Sequence, residues 1–325
     1  MDRYFESCRS PELVAIVSAS VNTTILNRDL GNLTAIRILI NLLDIERLMA
    51  ISIAAVLNYV NNLVKSRIFM QLTWLDNNSW LIELGGKNIL LDPWLVGDLI
   101  FGNQPWLFHG TKTVARSLPK QIDLILISQG LPDHAHPPTL EILDRSIPVV
   151  CSPNALEVVQ KFGYEQVTSL AHGESYHFAD IEIEAVPGSP VGPTTIENGY
   201  IVRGNGSSLY YEPHGNHSPV LAEKGSIDVV ITPLIDLKLP LLGAVIKGRA
   251  TTLALCELLK PQFVLPTAAG GEVKFEGLLV SILHTEGTVE EFQTSLTAKS
   301  LVTKAIDPQP WQPFSLELAH VGTRS

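Results

Sequence analysis

Apolar positions along this chain of 325 residues follow two different patterns. In residues 1–69 they recur at helical spacing over a long stretch, at about 33–64, and prolines and glycines are few. From Met70 onward short apolar runs alternate with turn residues, which is the pattern of strands. We therefore predict a helical extension formed by residues 1–69 and a complete domain formed by residues 70–325.

The predicted extension is too weakly apolar to cross a membrane. Its most apolar part, residues 48–57, is about half as long as the roughly twenty residues that a spanning helix needs. A helix that packs on the chain or binds a partner protein is the favoured interpretation, with a weak membrane-surface helix as the alternative.

The domain from Met70 repeats one order of elements twice, antiparallel strands followed by β/α units. Turn residues predict hairpins at 85–88 and 204–207, and an apolar run predicts a buried strand at 122–127. Thr288 and Glu291 have the spacing of a capping box before a last helix. This order predicts an α/β protein of the α+β kind, a four-layer αββα sandwich of two mixed β-sheets flanked by helices.

Net charge and cysteine content exclude some classes of partner and of metal site. The net charge of −10 argues against a nucleic-acid partner, which would need a basic face. The three cysteines are far apart and form no Cys-x-x-Cys pair, so neither a disulfide framework nor a cysteine zinc site is expected. Cys151 and Cys256 lie in apolar runs and are expected in the core. Without a secretory signal, the chain is predicted to be cytoplasmic.

The segment that carries the most chemical information follows the strand at 122–127. Residues 128–136 read Ser-Gln-Gly-Leu-Pro-Asp-His-Ala-His. Loops after buried strands carry the active sites of many α/β proteins, and Asp133, His134 and His136 are metal-ligand residue types. A second polar, tightly turned segment contains His214 and His217.

Residues from about 70 to 300 resemble the metallo-β-lactamase fold, most closely its sugar-lactone and phosphodiester-type hydrolases. The landmarks that carry the resemblance, in order, are Trp74-Leu75, Ser79-Trp80-Leu81-Ile82, Ile89-Leu90-Leu91-Asp92-Pro93-Trp94-Leu95, Ile125-Leu126-Ile127-Ser128, Pro132-Asp133-His134, Val186-Pro187-Gly188, Asn198-Gly199-Tyr200, Leu209-Tyr210-Tyr211 and Val264-Leu265-Pro266. Their order and spacing together are more specific than any one of them.

The resemblance also implies that the usual two-zinc site is incomplete. In that family the loop reads His-x-His-x-Asp-His, and Gln129 and Leu131 stand where the two leading histidines would be. A further histidine falls near Ser189 or Pro190, the metal-bridging aspartate near His214, and the last histidine near Thr267 or Ala268. Of the loop's ligands, Asp133 and His134 are retained.

The ligand-type residues that remain suit one metal ion or none. Asp133, His134 and His214, with His136 or His217 nearby, have the donor set for a single zinc, iron or manganese ion. Without an ion, Asp133 caps its turn, His134 is a hydrogen-bonded loop residue, His136 helps to start a helix, and His214 and His217 are solvated. Asp92, before a proline, is expected to stabilise a turn rather than act as a base.

Two functions from different classes follow. The first is a single-metal hydrolase of an ester, lactone or phosphodiester, with Asp133 and His134 as catalytic residues. The alternative is a non-catalytic scaffold or small-molecule-binding protein of the same fold. A metal-free acid–base pair of Asp133 and His134 is a third possibility. In either case the partner is a small molecule. The aromatic loop at about 94–109 would wall its pocket or pack over the sheet edge.

Overall fold

The computed structural model describes residues 68–319 except 193, 241–242 and 269. The predicted helix at about 33–64 lies outside the described residues, so its role in binding a partner stays a prediction. Among the described residues no helix is long and apolar enough to cross a membrane. The α-helices are α1 (Pro137–Ile142), α2 (Leu156–Gln160), α3 (Arg249–Leu259), α4 (Leu278–Ile282) and α5 (Val289–Ala298), and a 3-10 helix spans Pro219–Glu223.

Short strands make up most of the remaining regular structure. In chain order they are β1 (Ile68–Trp74), β2 (Trp80–Leu84), β3 (Lys87–Leu91), β4 (Leu99–Ile100), β5 (His109–Lys112), β6 (Leu124–Ile127), β7 (Val149–Cys151), β8 (Val167–Ser169), β9 (Ser175–Phe178), β10 (Ile181–Val191), β11 (Thr195–Gly204), β12 (Ser207–Tyr211), β13 (Val229–Ile231), β14 (Asp236–Leu239), β15 (Gly243–Lys247), β16 (Phe263–Leu265), β17 (Val273–Glu276), β18 (His284–Glu286), β19 (Lys304–Ala305) and β20 (Phe314–Leu318).

Two seven-stranded sheets form the centre of the domain. The first has the order β20-β1-β2-β3-β6-β7-β8 and the second β19-β16-β13-β12-β11-β10-β9. In the first, β20 to β3 are antiparallel and β3 to β8 are parallel. The second repeats this division, with antiparallel strands from β9 to β12 and parallel strands from β12 to β19. The predicted twofold order of strands and β/α units is thus confirmed.

Three apolar clusters separate four layers. The largest lies between the sheets and contains Trp80 and Tyr211, both fully buried. A second cluster joins the first sheet to α1 and α2 through side chains such as Leu140 and Val159. A third joins the second sheet to α3 and α5 through side chains such as Leu255 and Phe292. The predicted αββα sandwich is therefore confirmed, and Cys151 and Cys256 lie buried in its outer clusters as expected.

Two small sheets were not predicted. They have the orders β15-β14-β18 and β17-β5-β4. Their strands are two to five residues long, and β5 pairs with a strand about 160 residues later, for example Thr111 with Lys274. A local apolar pattern carries no signal for such distant pairing. These small sheets matter because they stand over one end of the sandwich.

The parallel strands place the polar loops at that same end. The carboxyl ends of adjacent parallel strands meet at one edge of a sheet. The loop after β6 begins at Ser128, and the loop after β12 begins at Glu212. Asn198 N–H in the second sheet donates to Ser128 O at the start of the loop after β6. The two polar segments chosen from the sequence therefore face each other across the sandwich.

The start of β1 allows a sharper test of the predicted boundary at Met70. Ile68 is 9% exposed and pairs with Leu318, so a chain that starts at Met70 loses paired and buried residues. We expect fragment 67–325 to fold, and fragment 70–325 to be less stable by roughly 1–3 kcal/mol. Urea unfolding followed by circular dichroism measures both. Equal midpoints would show that the first two residues of β1 contribute nothing.

Candidate active site

The loop after β6 folds back over the end of its strand. Leu131 C=O accepts from the N–H groups of His134 and Ala135, which closes a tight turn. Gly130 permits it, because a Cβ there would stand 2.5 Å from Asn154 O. The turn brings Asp133 and His134 over the edge of the sandwich, while Leu131 is left 41% exposed.

Three of the four predicted metal ligands converge. Ligand atoms of Asp133, His134 and His214 all lie within 4.8 Å of one another. Asp133 Oδ2 is 3.1 Å from His134 Nε2, and the rings of His134 and His214 have centroids 5.5 Å apart. Two ligands of one tetrahedral zinc ion would be separated by about 3.3 Å, given metal–ligand bonds of about 2.0–2.1 Å. The spacing of Asp133 and His134 suits a shared ion.

The Asp92 carboxylate fixes the orientation of His134. It is fully buried and accepts four hydrogen bonds. Ser128 N–H donates to Oδ1, and Ser128 Oγ, Tyr211 OH and His134 Nδ1 contact Oδ2 at 2.5, 2.6 and 2.7 Å. Because Asp92 holds Nδ1, the other ring nitrogen of His134 faces Asp133. A carboxylate behind a histidine in this way is common at metal sites.

Charge balance favours a cationic partner at this centre. Burial lowers the pKa of His134, but the carboxylates of Asp133 and Asp92 outweigh it and hold that pKa well above its ordinary value. Burial raises the pKa of Asp133, yet His134 and His214 bring it below its ordinary value. Asp133 Oδ1 is buried and has no hydrogen-bond partner among the described residues. A charged carboxylate with an unpaired oxygen suits a bound cation.

Two buried glutamates behind His214 were not singled out from the sequence. His214 Nδ1 lies 2.8 Å from Glu197 Oε1, and a ligand atom of Glu212 is also within 4.8 Å of both. Glu212 Oε2 accepts from the N–H groups of His214, Gly215 and Asn216, and its Oε1 accepts from Ser189 Oγ. These bonds fold the segment after β12 and place His214 at the site.

The electrostatics of Glu212 and His214 differ from those of Asp133. Burial and the neighbouring Glu197 raise the pKa of Glu212 to about 8. Burial lowers the pKa of His214, but Glu197 outweighs it and raises that pKa above its ordinary value. The environment of Glu212 therefore favours its protonated form, and Glu197 faces the His214 ring. Glu197 is the orienting carboxylate for His214, as Asp92 is for His134.

The structure does not bring His136 and His217 to this centre. His136 is buried with its ring nitrogens 3.1 Å from Thr139 Oγ1 and from Asp98 O, and it stands at the N-cap of α1. His217 Nδ1 is 3.3 Å from Tyr210 OH. Burial lowers the pKa of each to about 4, so both are neutral packing residues, and His217 is not the solvated residue that was expected.

The turn between β1 and β2 contributes Asn78 to the site. Asn78 Nδ2 lies 3.4 Å from Asp133 Oδ2 and 3.2 Å from His134 Nε2. Asp76, earlier in the turn, accepts from Lys112 Nζ at 3.0 Å and from Trp311 Nε1 at 2.9 Å. This buried ion pair anchors the turn. Asn77 and Asn78 also line the cavity over the site.

A cavity of about 900 Å³ opens over the centre. Its polar end is formed by Asn78, Gln129, Asp133 and His214. The rest of its wall is largely apolar and comes from the small sheets and α4; examples are Leu99, Phe101, Phe108, Leu237, Phe275 and Leu279. The predicted aromatic loop thus divides: Phe101 and Phe108 line the cavity, Trp94 is buried, and Trp106 is 64% exposed.

The sandwich and the position of its loops together define a domain of the metallo-β-lactamase fold. A sequence profile of the family described as the Beta-lactamase superfamily domain matches residues 71–268. This chain belongs to that superfamily, as its resemblance indicated.

Named relatives agree with this assignment. One UPF0173 metal-dependent hydrolase, from Koribacter versatilis, is 30% identical over 119 residues, 36% of this chain and 46% of the relative. This chain therefore spans less than half the length of that relative. Another, from Methanopyrus kandleri, is 25% identical over 220 residues, 62% of this chain and 84% of the relative. The solved structure of Igni18, a metallo hydrolase from Ignicoccus hospitalis, superimposes with a TM-score of 0.54 at 17% identity, covering 77% of this chain and 99% of that one.

Replacement of Asp92 tests its role as the central acceptor. In Asp92→Asn, either the amide NH2 would face groups that donate to the carboxylate in the wild type, or the amide C=O would accept from them more weakly. We expect a loss of roughly 2–4 kcal/mol in the free energy of unfolding, measured by urea denaturation. Asp98→Asn is the matched control, because Asp98 is 49% exposed and pairs with His109 at the surface. Equal stability of the two variants would contradict this role.

Proposed function

We propose that the protein is a hydrolase-like enzyme that uses one divalent ion held by Asp133, His134 and His214. The observation that carries the proposal is the convergence of these three side chains within 4.8 Å, each histidine oriented by its own buried carboxylate. One carboxylate and two histidines are a common ligand set for zinc, iron or manganese. Relatives named as metal-dependent hydrolases support the use of a metal ion.

The same geometry argues against a second ion. Gln129 and Leu131 occupy the positions of two family ligands, and the Leu131 side chain has no donor atom. Ser189 is bonded to Glu212, and Thr267 lies 3.3 Å from Asn77 O and from Asn78 Oδ1. These neutral side chains supply no further anionic or imidazole ligand. The residues at the family's ligand positions therefore do not fit its usual second ion, and Glu197 and Glu212, which lie within 4.8 Å of His214, are engaged in orienting His214 and folding its loop.

The chain's own residues would position and polarise a substrate. An ion at this centre would lower the pKa of a bound water and polarise a carbonyl or phosphoryl oxygen. Asp92 and Glu197 keep the two imidazoles in fixed orientations, Asn78 offers an amide N–H beside Asp133, and apolar side chains form much of the cavity wall. Ester, lactone and phosphodiester hydrolysis all use this arrangement, and the cavity is large enough for a small molecule.

A second candidate is a small-molecule-binding protein without catalysis. The observation that favours it is the replacement of ligand-type residues by Gln129 and Leu131 next to a cavity of about 900 Å³. In this case the centre holds a cation or a proton only to neutralise Asp133, and the cavity serves for binding. Turnover separates the two candidates, because both allow a bound ion.

Metal occupancy is the first test. The protein is purified without chelator, supplied with zinc, iron(II) or manganese, desalted and analysed by mass spectrometry of its metals. We expect about one ion per chain in the wild type and less than about 0.1 in Asp133→Ala and in His214→Ala. His177→Ala, at an exposed strand position, is the control and should keep its ion. Full occupancy in both site variants would place the metal elsewhere.

Hydrolysis is the second test. We expect the metal-loaded wild type to cleave at least one of three probes: p-nitrophenyl octanoate, a γ-lactone followed by pH indicator, or bis(p-nitrophenyl) phosphate. Asp133→Ala should lower kcat/KM by about 100-fold or more, because a ligand to the ion is lost. The matched control is again His177→Ala. Absence of turnover by fully loaded wild type would reject the enzyme and leave the binding protein.

A further inference from the structure

The helix α4 and the segment before β5 present apolar side chains to solvent. The five residues of α4 are Leu-Leu-Val-Ser-Ile, and none of them is buried. Leu278 and Ile282 are exposed, and so is Trp106, whose C=O accepts from Leu278 N–H at 3.0 Å. An apolar helix ordinarily buries one face against a core. Exposed apolar groups of this kind mark contact surfaces, so we looked for what this one fits.

The exposed group continues into the wall of the cavity. Leu279, the residue after Leu278, lines the cavity, and so does Phe108, two residues after Trp106. Elsewhere on the cavity wall, Leu131 and Val245 have exposed side chains. Apolar surface therefore extends from the interior of the cavity to the exterior of the protein at α4. We call the exposed residues Trp106, Leu278 and Ile282 the α4 surface.

Charges around the α4 surface are arranged in pairs. Glu276, just before α4, lies 2.8 Å from Lys274, and Glu286, soon after α4, lies 2.6 Å from Lys238. No aspartate, glutamate, lysine or arginine stands between Glu276 and Glu286 in the chain. Lys247, exposed at the cavity, adds one positive charge. Although the whole chain carries a net charge of −10, this region fits a partner that is apolar and carries no net charge.

We propose that the α4 surface docks on a lipid bilayer of zwitterionic headgroups, with its apolar side chains inserted at the boundary between headgroups and acyl chains. Tryptophan is enriched at this boundary because its ring is apolar and its N–H is polar. A folded protein placed on the α4 surface would cover the apolar path to the cavity, whereas fluid lipid chains would extend it. Docking requires no metal ion, so it stands apart from the proposed hydrolase function.

Vesicle binding by the full-length protein is the test, with unilamellar vesicles of phosphatidylcholine. Trp106 is itself the probe, because Trp74, Trp80 and Trp94 are buried and Trp311 is only partly exposed. We expect its emission to shift to the blue and to be quenched by phosphatidylcholine with brominated acyl chains. Trp106→Phe should remove most of this signal. Raising the salt concentration should change the partition coefficient by less than about twofold, because the contact is apolar and not ionic.

Two leucine variants form a matched pair. Leu278 and Leu258 are both 51% exposed on helices, and Leu258 lies on α3, outside the α4 surface and the cavity. We expect Leu278→Ser to lower the partition coefficient by about tenfold, which is the effect of withdrawing one leucine from an apolar environment. Leu258→Ser should stay within about twofold of wild type. Thermal unfolding followed by circular dichroism checks that both variants fold.

Each alternative has its own outcome. Absence of vesicle binding by wild type would overturn the proposal. Binding that Leu278→Ser leaves unchanged, or that Leu258→Ser weakens equally, would place the contact elsewhere on the chain and overturn it too. Sedimentation velocity without vesicles tests a second copy as the occupant: a wild-type dimer that Leu278→Ser abolishes would replace the bilayer by that copy.

Metal binding and vesicle binding are separated by one further variant. Asp133→Ala, which loses a ligand of the proposed ion, should bind vesicles as wild type does. Vesicle binding in protein without an ion would support docking even if the hydrolase function fails. Normal metal content with no vesicle binding would reject docking and leave the hydrolase function in place.

Discussion

The Asp92 carboxylate is the contact on which both the fold and the site depend. It follows β3 in the first sheet, accepts from Ser128 at the end of β6, and accepts from Tyr211 at the end of β12 in the second sheet. A single buried carboxylate thus joins two adjacent strands and the facing sheet. Its charge in a water-excluded interior is tolerated because four donors surround it. His134 is one of these donors, so the ring cannot turn without disrupting the contact between the sheets.

The layered architecture followed from local sequence patterns. Apolar runs separated by turn residues predicted the hairpins at 85–88 and 204–207, and Thr288 caps α5 by accepting from Glu291 N–H as its spacing indicated. The small sheets could not be predicted this way, because their strands are short and each sheet is completed by a strand distant in sequence, β17 on β5 and β18 on β14. They provide much of the apolar wall of the cavity, so the residues of that wall could not be predicted from local sequence patterns either.

The site residues also include some that the sequence indicates and some that it does not. Asp133 and His134 stand out by residue type and by their place after a buried strand, and His214 by its position after β12. Glu197 gave no such signal, because strand alternation would have predicted the reverse of what is found: Ile196 is 48% exposed, whereas Glu197 is fully buried. His136 has the right residue type at the right spacing, but its ring is held by Thr139 and Asp98 O on the other side of the turn. Side-chain direction at a turn depends on contacts that the sequence alone does not reveal.

The Asp92–His134 and Glu197–His214 pairs also limit which further ligand residues the site can accommodate. If Gln129 and Leu131 were both histidines, more imidazoles would stand beside Asp133, and without metal each would compete with His134 and His214 for the same negative charge. The neutral Gln129 and Leu131 avoid this competition. They leave Asp133 Oδ1 without a hydrogen-bond partner among the described residues. The Asp133 carboxylate lies within 4.8 Å of ligand atoms of His134 and His214, so a cation held there would neutralise its charge without any further side chain.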